Sequence, residues 1–519
     1  MDRAGNRTTH DIWKDRQKLT PDKEFLVFED ADGETSRFTY AELNDGINRT
    51  ANALRDELGI GEGDKVTIHL TNSPEYLLTW FGAMRAGAVV VHSNANHTAG
   101  EVNYTIDNSD SVAAITQPGF EAVVDEAAEG TAVDTKILVR TDEAEGDKHV
   151  FDDLIDGAST DPPDVDLRAD DTAQIMFTSG TTSAPKGVVH THANLVNASM
   201  RIGQSAHARP DDRNLTALPL FHVNGQIVSL LSMLGVGGSL VLLETYDTGT
   251  YMGKVREYEA TLTSLIGTQV RALLMTPEQP ADGSNDLREV FFAINITEDE
   301  KETFVERFDV SLMNGYGLTE TVTGVTMTPP YSDRRYPSIG VPQSERVIHL
   351  VDDDGNEVPD GERGEIAVEG VRGRTIFKEY YQMPEKTEEA FTDEGWFLTG
   401  DIGRFDELGY VYFVDRKKNI IKTRGENVSE SQVENALEEH PKIGEVAVVG
   451  APHEVYDEVV KAYVLPADPE LTPEEVVEYA EENLAEFKVP EEVEFVEEFP
   501  RTSIGKVEKV TLREQEGAE

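Results

Sequence analysis

The stretch TAQIMFTSGTTSAPKGVVHTH, residues 172–192, joins an apolar run to a loop of small and hydroxyl-bearing residues that ends on one lysine. The apolar run predicts a buried strand, and the glycine in the loop permits backbone geometry that other residues resist. Hydroxyls next to backbone N–H groups, beside one compact positive charge, are what a phosphate cradle requires. We therefore predict a phosphate-binding loop that uses Thr178, Ser179, Gly180, Thr181, Thr182 and Lys186.

A P-loop NTPase is the first alternative for such a loop. Its pattern needs glycine immediately before the lysine and serine or threonine after it. Here the order is Pro185, Lys186, Gly187, so the spacing excludes a Walker-type loop. A flexible surface loop of the same composition is the other alternative, and the remaining motifs of the chain argue against it.

Outward from this loop, the N-terminal part of the chain alternates helices and strands. Residues 39–42 (TYAE) form a capping-box pattern before an apolar helical face, and Ser73-Pro74 begins another helix that Gly87 ends. Helices that join strands through short links indicate parallel sheets. We therefore expect an α/β fold with a large N-terminal body. Its predicted strands include 65–70, 88–94, 136–140 and 172–177.

The pattern changes near residue 345. Residues 346–370 and 406–415 predict antiparallel strands joined by Asp-Gly and Leu-Gly turns, as a small β-barrel-like part of the body. After Arg416 the order is helix, strand, strand, helix, strand, over about 100 residues, which is enough for a small domain. The chain is thus predicted to have a body over 1–416 and a small α+β domain over 417–519.

Charge excludes several classes of partner. The chain of 519 residues has 99 acidic and 46 basic side chains, a net charge of −53. Such a surface repels nucleic acid and anionic lipid, so neither is expected as a partner. The acidic residues are spread along the chain, as in DPPDVDLRADD (161–171), which predicts a solvated acidic coat of the halophilic type. An ordinary acidic protein is the alternative.

Composition also bears on location and redox chemistry. The absence of cysteine excludes disulfides, thiolate metal sites and thiol nucleophiles. The N-terminus MDRAGNRTTHDIW lacks the apolar core of a signal peptide. One uncharged run, 227–243, falls short of the roughly 20 apolar residues that a span needs, and GVGG interrupts it. We interpret it as a buried helix, a glycine turn and a core strand, and expect a cytoplasmic monomer or homo-oligomer with no membrane span.

Five stretches in order resemble the motifs of the adenylate-forming superfamily, the AMP-forming acyl-CoA synthetases and their relatives. The lysine loop is the first, and the resemblance extends from about residue 20 to the end. It implies that a carboxylic acid and Mg-ATP give an acyl adenylate and pyrophosphate, after which CoA thiolate displaces AMP to form a thioester. The other four stretches are LPLFHVNG (218–225), NGYGLTET (314–321), GWFLTGD (395–401) with VDRKKNIIKTRGENV (414–428), and PRTSIGKV (500–507).

The resemblance implies a role for each matched residue around ATP and Mg²⁺. Tyr316 would stack on adenine, Thr319 would bond the α-phosphate, and Glu320 would hold Mg²⁺ through its carboxylate oxygens. Asp401 would accept hydrogen bonds from the ribose hydroxyls, with Arg416 beside it. The implied nucleotide site also includes Asn295, Asn314, Gly315 and Gly317.

The catalytic set follows from the same resemblance. Lys506 resembles the lysine of the small domain whose ammonium would stabilise the charge that builds on the α-phosphate. Thr178 and Glu320 would act with it, and His222 would gate the acyl pocket. Lys418 occupies the hinge about which the family's small domain swings, so a mobile domain is implied. That swing would bring Arg424, Gly425 and Glu426 to a CoA tunnel.

Departures from the family pattern bear on the identity of the acid. The chain has FFAINITEDE (291–300) where the family commonly carries Gly-Gly-Ala-Pro, and Ser183 replaces a usual glycine. With ELNDGINRTAN (42–52), RRYPSIG (334–340) and TIFKEYY (375–381), these departures resemble the crotonobetaine/carnitine-CoA ligase branch.

A quaternary ammonium substrate would call for an aromatic cage or a carboxylate in the acyl pocket. Trp80, Phe221 and Phe292 are the candidates for such a cage. A fatty acid or another short- or medium-chain carboxylate is the alternative substrate. A stand-alone adenylating enzyme and an inactive adenylate-binding sensor are the alternative functions.

Overall fold

The computed structural model describes residues 2–178, 185–293, 296–359, 361–423, 426–453, 457–484, 486–501 and 507–516. Only the backbone is described at Lys418, Lys422, Glu426, Asn427, Asp457 and Glu516. Within these ranges the chain forms two compact units. The first contains residues up to 178, 185–347 and 368–391, and the second contains 348–367 and the residues from 392 onward.

The strands of the described residues are β1 Glu24–Glu29, β2 Thr35–Thr39, β3 Lys65–His69, β4 Val89–His92, β5 Ser111–Thr116, β6 Thr135–Leu138, β7 His149–Val150, β8 Thr172–Thr178, β9 Lys186–Thr191, β10 Arg213–Thr216, β11 Ser239–Leu243, β12 Leu262–Ile266, β13 Glu289–Ala293, β14 Leu312–Tyr316, β15 Thr326–Met327, β16 Val341–Pro342, β17 Val347–Val351, β18 Gly364–Glu369, β19 Phe397–Phe405, β20 Val411–Arg416, β21 Ile420–Thr423, β22 Glu426–Ser429, β23 Ile443–His453, β24 Asp457–Pro466 and β25 Glu492–Phe495.

The helices are α1 Thr9–Leu19, α2 Tyr40–Asp56, α3 Pro74–Ala86, α4 Ala99–Asp107, α5 Glu121–Ala128, α6 Phe151–Ile155, α7 His192–Ser205, α8 Ser232–Val236, α9 Tyr251–Glu257, α10 Gly267–Met275, α11 Glu298–Phe308, α12 Pro384–Glu389, α13 Glu430–Glu438, α14 Pro473–Asn483 and α15 Lys509–Glu516. A π-helix covers Asn224–Leu231, and 3₁₀ turns cover Lys417–Asn419 and Glu486–Lys488.

The first unit is built on two sheets that are parallel at their centres. One has the order β7-β6-β5-β3-β4-β8-β9, with β9 antiparallel to β8. The other has the order β16-β15-β14-β13-β12-β10-β11-β1-β2 and is parallel from β14 to β1. The predicted α/β class, with parallel sheets and helices between strands, is confirmed.

One apolar core is shared by both sheets and by helices α2, α3 and α7. Helix α3 shows how local sequence positions these elements. Ser73 Oγ accepts a hydrogen bond from Tyr76 N, Pro74 occupies the first turn, and Gly87 ends the helix with φ 90°. Helix α2 begins with the predicted capping box of Thr39 and Glu42.

The uncharged run 227–243 folds as the sequence predicts. The π-helix and α8 are followed by Gly237 with φ 83° and by the fully buried strand β11. Across the described part of the chain, no helix is both long and apolar enough to cross a membrane.

The second unit contains two smaller sheets. Strands β17-β18-β19-β20 form an open sheet, so the β-barrel-like part that we expected here is not a closed barrel. Four strands are too few, since even about eight leave an interior just wide enough for side chains. The predicted glycine turns are present at Gly355 and Gly409, each with φ 81°.

The C-terminal part of this unit has the predicted helix-strand-strand-helix-strand order. Its sheet is β22-β21-β24-β23, and β25 pairs in parallel with β24. Helices α13 and α14 share a separate apolar core with this sheet. The structure also contains strands β21 and β22 and helix α15, which the sequence pattern did not predict. The predicted boundary between the body and the small domain, at residue 416, depends on where the small domain would pivot. It therefore stays a prediction.

Candidate functional site

Lys186, the predicted phosphate-binding lysine, is the first residue of a strand. Strand β8 ends at Thr178, strand β9 begins at Lys186, and these two residues pair in antiparallel register. The Thr178 hydroxyl donates to the Lys186 carbonyl oxygen at 3.5 Å. The two ends of the predicted loop therefore meet at one end of the sheet, where the strand pair opens.

A tyrosine with no predicted role packs against this lysine. The chain around Tyr380 runs along β9, because Val189 N donates to Glu379 O at 2.9 Å and Tyr381 N donates to Gly187 O at 2.7 Å. This pairing places Lys186 Nζ 4.4 Å from the centre of the Tyr380 ring. That distance allows a cation–π interaction, which restricts the lysine to the ring face.

Tyr380 also contacts the predicted magnesium ligand. Its hydroxyl donates to Glu320 Oε1 at 3.0 Å, and Phe377 N donates to the Glu320 carbonyl oxygen at 2.7 Å. Burial, followed by the nearby Glu320 carboxylate, raises the pKa of Tyr380 well above its usual value. The tyrosine therefore keeps its proton and orients the carboxylate as a donor. We call Lys186, Tyr380 and Glu320 the lysine cluster.

The GYGLTET segment begins at the end of β14. Tyr316 pairs with Thr326 of β15 and is partly exposed, as expected for a ring that stacks on a base. Gly315 pairs with Met327. The Asn314 side chain is buried, and its Nδ2 donates to the Ser338 carbonyl oxygen at 3.2 Å. These residues lie at the carboxyl end of a parallel strand, the edge at which open α/β sheets bind ligands.

Gly317 leaves no room for a side chain. A Cβ atom at this position would lie 2.5 Å from Gly324 N and 2.8 Å from the Thr323 carbonyl carbon. Both are backbone atoms, so they cannot rotate away. The exposed Gly317 therefore allows the segment to fold back on itself beside the predicted adenine site.

We expect Gly317→Ala to weaken MgATP binding by about tenfold or more, because the backbone displacement costs about 1–3 kcal/mol. Calorimetric titration of MgATP would measure the change. Gly253→Ala is the matched control, since a Cβ at Gly253 meets no atom within 4 Å. Equal affinity of Gly317→Ala and the control would contradict the tight turn.

A buried hydrogen-bond network supports the backbone of the same segment. His190 Nε2 donates to the Thr319 carbonyl oxygen at 2.8 Å, and Gln174 Nε2 donates to His190 Nδ1 at 3.2 Å. Gln174 Oε1 accepts from Trp80 Nε1 at 2.9 Å and from His92 Nε2 at 3.1 Å. The accepting Nδ1 requires a neutral His190 with its proton on Nε2.

Burial is the main cause that keeps five histidines neutral. It lowers the pKa of His10, His69, His190 and His192 to about 4 and that of His92 to about 3. A histidine in the unfolded chain titrates near about 6.5. Between these values the unfolded chain binds more protons, so the free energy of unfolding falls as the pH drops.

The stability contributed by these histidines should be complete above about pH 6.5 and decline toward about pH 4, by up to about 1.4 kcal/mol per pH unit for each histidine. Urea midpoints in molar KCl, measured at a series of pH values, would show the decline. His190→Gln should make it shallower. A midpoint that stays constant between about pH 6.5 and 5 would contradict the burial of neutral histidines.

The second unit contains the predicted ribose-binding pair. Asp401 on β19 is 1% exposed, and it faces Arg416 across the β19–β20 pair. Arg416 Nε lies 3.1 Å from Asp401 Oδ1. The two predicted residues are therefore brought together, with the guanidinium half exposed and the carboxylate buried.

The residue before the predicted hinge is held by two carboxylates. Lys417 Nζ lies 2.9 Å from Glu365 Oε2 and 2.8 Å from Asp353 Oδ1. Glu365 also accepts a hydrogen bond from Gly400 N at 2.8 Å. Lys418 follows in the 3₁₀ turn. Glu365, which had no predicted role, thus contacts both Lys417, the residue before the predicted hinge, and Gly400, the residue before Asp401.

The predicted acyl-pocket gate precedes the π-helix. His222 is exposed, and its ring centre lies 4.7 Å from that of the partly exposed Phe221. π-Helical turns are frequent at functional sites. Trp80 and Phe292 are buried in the apolar cores, so of the three cage candidates only Phe221 is partly exposed.

Eight predicted site residues lie outside the described residues, and their roles stay predictions: Ser179, Gly180, Thr181, Thr182, Asn295, Arg424, Gly425 and Lys506. The side chains of Lys418 and Glu426 are likewise not described.

The described residues offer a donor set that fits MgATP: a cation, a carboxylate held by a tyrosine, and a partly exposed aromatic ring. In the described ranges, no group of three or more His, Asp or Glu could hold a metal ion by itself. Mg²⁺ in nucleotide sites takes one or two carboxylates and completes its shell with phosphates and water. A single carboxylate such as that of Glu320 would therefore be a sufficient protein ligand for Mg²⁺ bound to ATP.

Known proteins are similar to the chain over its full length. The model of the AMP-binding enzyme family matches residues 13–381, and that of the AMP-binding enzyme C-terminal domain matches 432–506. The crotonobetaine/carnitine-CoA ligase of Salmonella paratyphi A is 40% identical over 518 residues, which is 99% of this chain and 100% of the relative. The ligase of the same name from Proteus mirabilis is 39% identical over 519 residues, with the same coverage.

Solved structures agree with these relatives. ATP-bound MatB from Rhodopseudomonas palustris has a TM-score of 0.86 and 29% identity, over 98% of each chain. The o-succinylbenzoate CoA synthetase MenE from Bacillus subtilis, in complex with its acyl-adenylate intermediate, has a TM-score of 0.85 and 27% identity, over 98% of each chain.

Proposed function

Because this chain belongs to the AMP-binding enzyme family, we propose that it is an acid–thiol ligase for a carboxylic acid that carries a trimethylammonium group. ATP activates the acid as an acyl adenylate, and CoA accepts the acyl group. The observation that carries the choice of acid is the 40% identity, over 99% of the chain, to a crotonobetaine/carnitine-CoA ligase. ATP and CoA are cytoplasmic metabolites, which supports a cytoplasmic location.

In the first step a carboxylate oxygen attacks the α-phosphorus, and the bond to the oxygen that bridges to the β-phosphate breaks. Pyrophosphate leaves with the electron pair of that bond. Lys186 and the loop hydroxyls hold the β- and γ-phosphates, so they stabilise the leaving group. The cation–π contact with Tyr380 supports this role, because it keeps the ammonium at the start of β9.

Glu320 and Thr319 act at the α-phosphate. Glu320 would hold Mg²⁺, which would neutralise phosphate charge, and the Thr319 hydroxyl bonds an α-phosphate oxygen. The Tyr380 hydroxyl, 3.0 Å from Glu320 Oε1, orients the carboxylate. Groups that orient a metal ligand typically affect metal affinity about 10–100-fold. Tyr316 and Asp401 bind the adenine ring and the ribose hydroxyls.

In the second step the small domain, pivoting at Lys418, withdraws Lys506 and brings residues 424–426 to the thiol path. CoA thiolate attacks the acyl carbon, the carbon–oxygen bond to AMP breaks, and AMP leaves. Exclusion of water between the two steps prevents hydrolysis of the mixed anhydride. His222 gates the acyl pocket, with Phe221 as the aromatic face for the ammonium group.

The test is product analysis over a panel of acids in high-potassium buffer: acetate, fatty acids of increasing length, carnitine, crotonobetaine and γ-butyrobetaine. AMP and acyl-CoA should form in equal amounts, with CoA required for sustained turnover. Turnover to a stable product without CoA would contradict the ligase. A preference for plain fatty acids would contradict the trimethylammonium substrate while leaving the reaction class intact.

A further inference from the structure

The turn that follows Glu320 has an unusual backbone. Val322, Thr323 and Gly324 have φ values of 50°, 49° and 62°, so three consecutive residues are left-handed. Two of them carry β-branched side chains, for which this region is strongly unfavourable. Val322 is fully buried. Such a conformation persists only where the surrounding structure holds it in place.

Two buried arginines hold this turn through its carbonyl oxygens. Arg201 Nη2 lies 3.4 Å from the Thr321 oxygen, 3.2 Å from the Val322 oxygen and 3.2 Å from the Thr323 oxygen. Arg346 donates from Nη2 to the Thr321 oxygen at 2.5 Å and from Nε to the Gly324 oxygen at 3.1 Å. Every carbonyl from 321 to 324 therefore faces a guanidinium group.

Neither arginine forms an ion pair with any carboxylate of the described residues, and each is 6% exposed. Burial lowers the pKa of Arg201 to about 10. Burial and the proximity of Arg201 lower that of Arg346 well below its usual value. A buried cation whose hydrogen bonds all go to carbonyl oxygens is costly, and the Glu345 carboxylate offsets only part of the effect of burial on Arg201. This cost is concentrated at the turn that follows the predicted phosphate and magnesium ligands.

We propose that Arg201 and Arg346 are positioning residues that hold the turn 321–324 in its left-handed form and thereby set Thr319 and Glu320 for MgATP. We call these two side chains the arginine clamp. The inference rests on the proposed function, because it assigns a cause to the geometry of that site. The clamp contacts neither phosphate nor metal, and it acts only through the backbone that carries their ligands.

A purely structural role is the competing explanation, and the chain contains a matched control for it. Arg307 is also buried, and its Nη1 donates to the carbonyl oxygens of Leu273, Leu274 and Thr276 at 3.2, 3.2 and 2.9 Å. It lies in the last turn of α11 and contacts the C-terminal end of α10, so its carbonyl partners are not those of the turn 321–324. Its Nε also pairs with Asp282 Oδ2 at 2.7 Å, so Arg307→Lys removes the same kind of carbonyl contact and perturbs one ion pair, without touching the turn.

The experiment compares Arg346→Lys, Arg201→Lys and Arg307→Lys by calorimetric titration with MgATP and with ATP in EDTA, in molar KCl. Each clamp variant keeps the charge but loses the paired donors. We expect the clamp variants to bind MgATP about tenfold or more weakly, and to lose less affinity for ATP in EDTA, where only the Thr319 contact is affected. Arg307→Lys should lower the urea midpoint and leave both affinities unchanged.

A second change tests the mechanism directly. Glycine adopts left-handed geometry freely, so Thr323→Gly should recover MgATP affinity in Arg346→Lys by about fivefold. Clamp variants that match Arg307→Lys in both titrations, or that Thr323→Gly does not rescue, would overturn the clamp and leave the ligase intact. If the unaltered protein binds no MgATP, the proposed function fails and the clamp fails with it.

Discussion

Replacing Lys506 by alanine should slow adenylation by about 10²–10³-fold and leave thioester formation from pre-made acyl adenylate nearly unchanged. In the first step negative charge grows on the α-phosphate as the carboxylate adds. A positioned ammonium stabilises that charge without reacting itself. In the second step the thiolate attacks the acyl carbon, and under the proposed mechanism the small domain would by then have withdrawn the lysine.

Two half-reactions measure the effect separately: pyrophosphate release for adenylation, and CoA consumption from synthetic adenylate for thioesterification. Lys442→Ala is the control, because Lys442 pairs with Glu475 in the same unit and has no proposed role. The described residues that flank the Lys506 segment, Arg501 and Val507, form an antiparallel bridge that the substitution should leave intact. Equal losses in both half-reactions would refute the assigned role.

Transfer from about 2 M to about 0.1 M KCl should unfold the protein. The net charge of −53 places many carboxylates near one another on the surface. Helix α14 shows the pattern, with Glu474, Glu478, Glu481 and Glu482 all exposed. The Debye length is about 3 Å at 1 M and about 10 Å at 0.1 M, so neighbouring carboxylates repel one another only in dilute salt.

Far-UV circular dichroism during stepwise dialysis would locate the midpoint of this transition. A variant with Glu478→Lys and Glu482→Lys should unfold at lower salt than the unaltered chain, because two repulsive charges become attractive ones. Full activity and an unchanged melting curve at about 0.1 M would contradict the halophilic interpretation and favour an ordinary acidic protein.

Elements governed by local rules could be predicted from the sequence. The capping box at Thr39, the glycine stop at Gly87 and the broken apolar run at 227–243 all depend on neighbours a few residues away. The open sheet of β17–β20 could not be predicted in this way. Turn signals indicate hairpins but do not indicate how many strands assemble into one sheet.

The site was predictable as a set of motifs but not as a set of contacts. Tyr380 lies 194 positions from Lys186 in the sequence. The residues around it do not indicate that its hydroxyl donates a hydrogen bond to Glu320. The arginine clamp is equally remote from its turn, since Arg201 lies 120 positions from Thr321. Such contacts arise from tertiary packing, and a single sequence contains no periodicity or spacing pattern that predicts them.

One pair of substrates tests the central claim most directly. γ-Butyrobetaine and 5,5-dimethylhexanoate have the same shape, but the first carries a quaternary nitrogen where the second carries a neutral carbon. A pocket built for trimethylammonium should give a kcat/KM about 10–30-fold higher for γ-butyrobetaine, with AMP and acyl-CoA formed in equal amounts. Equal kcat/KM values, or a preference for the neutral acid, would contradict the account.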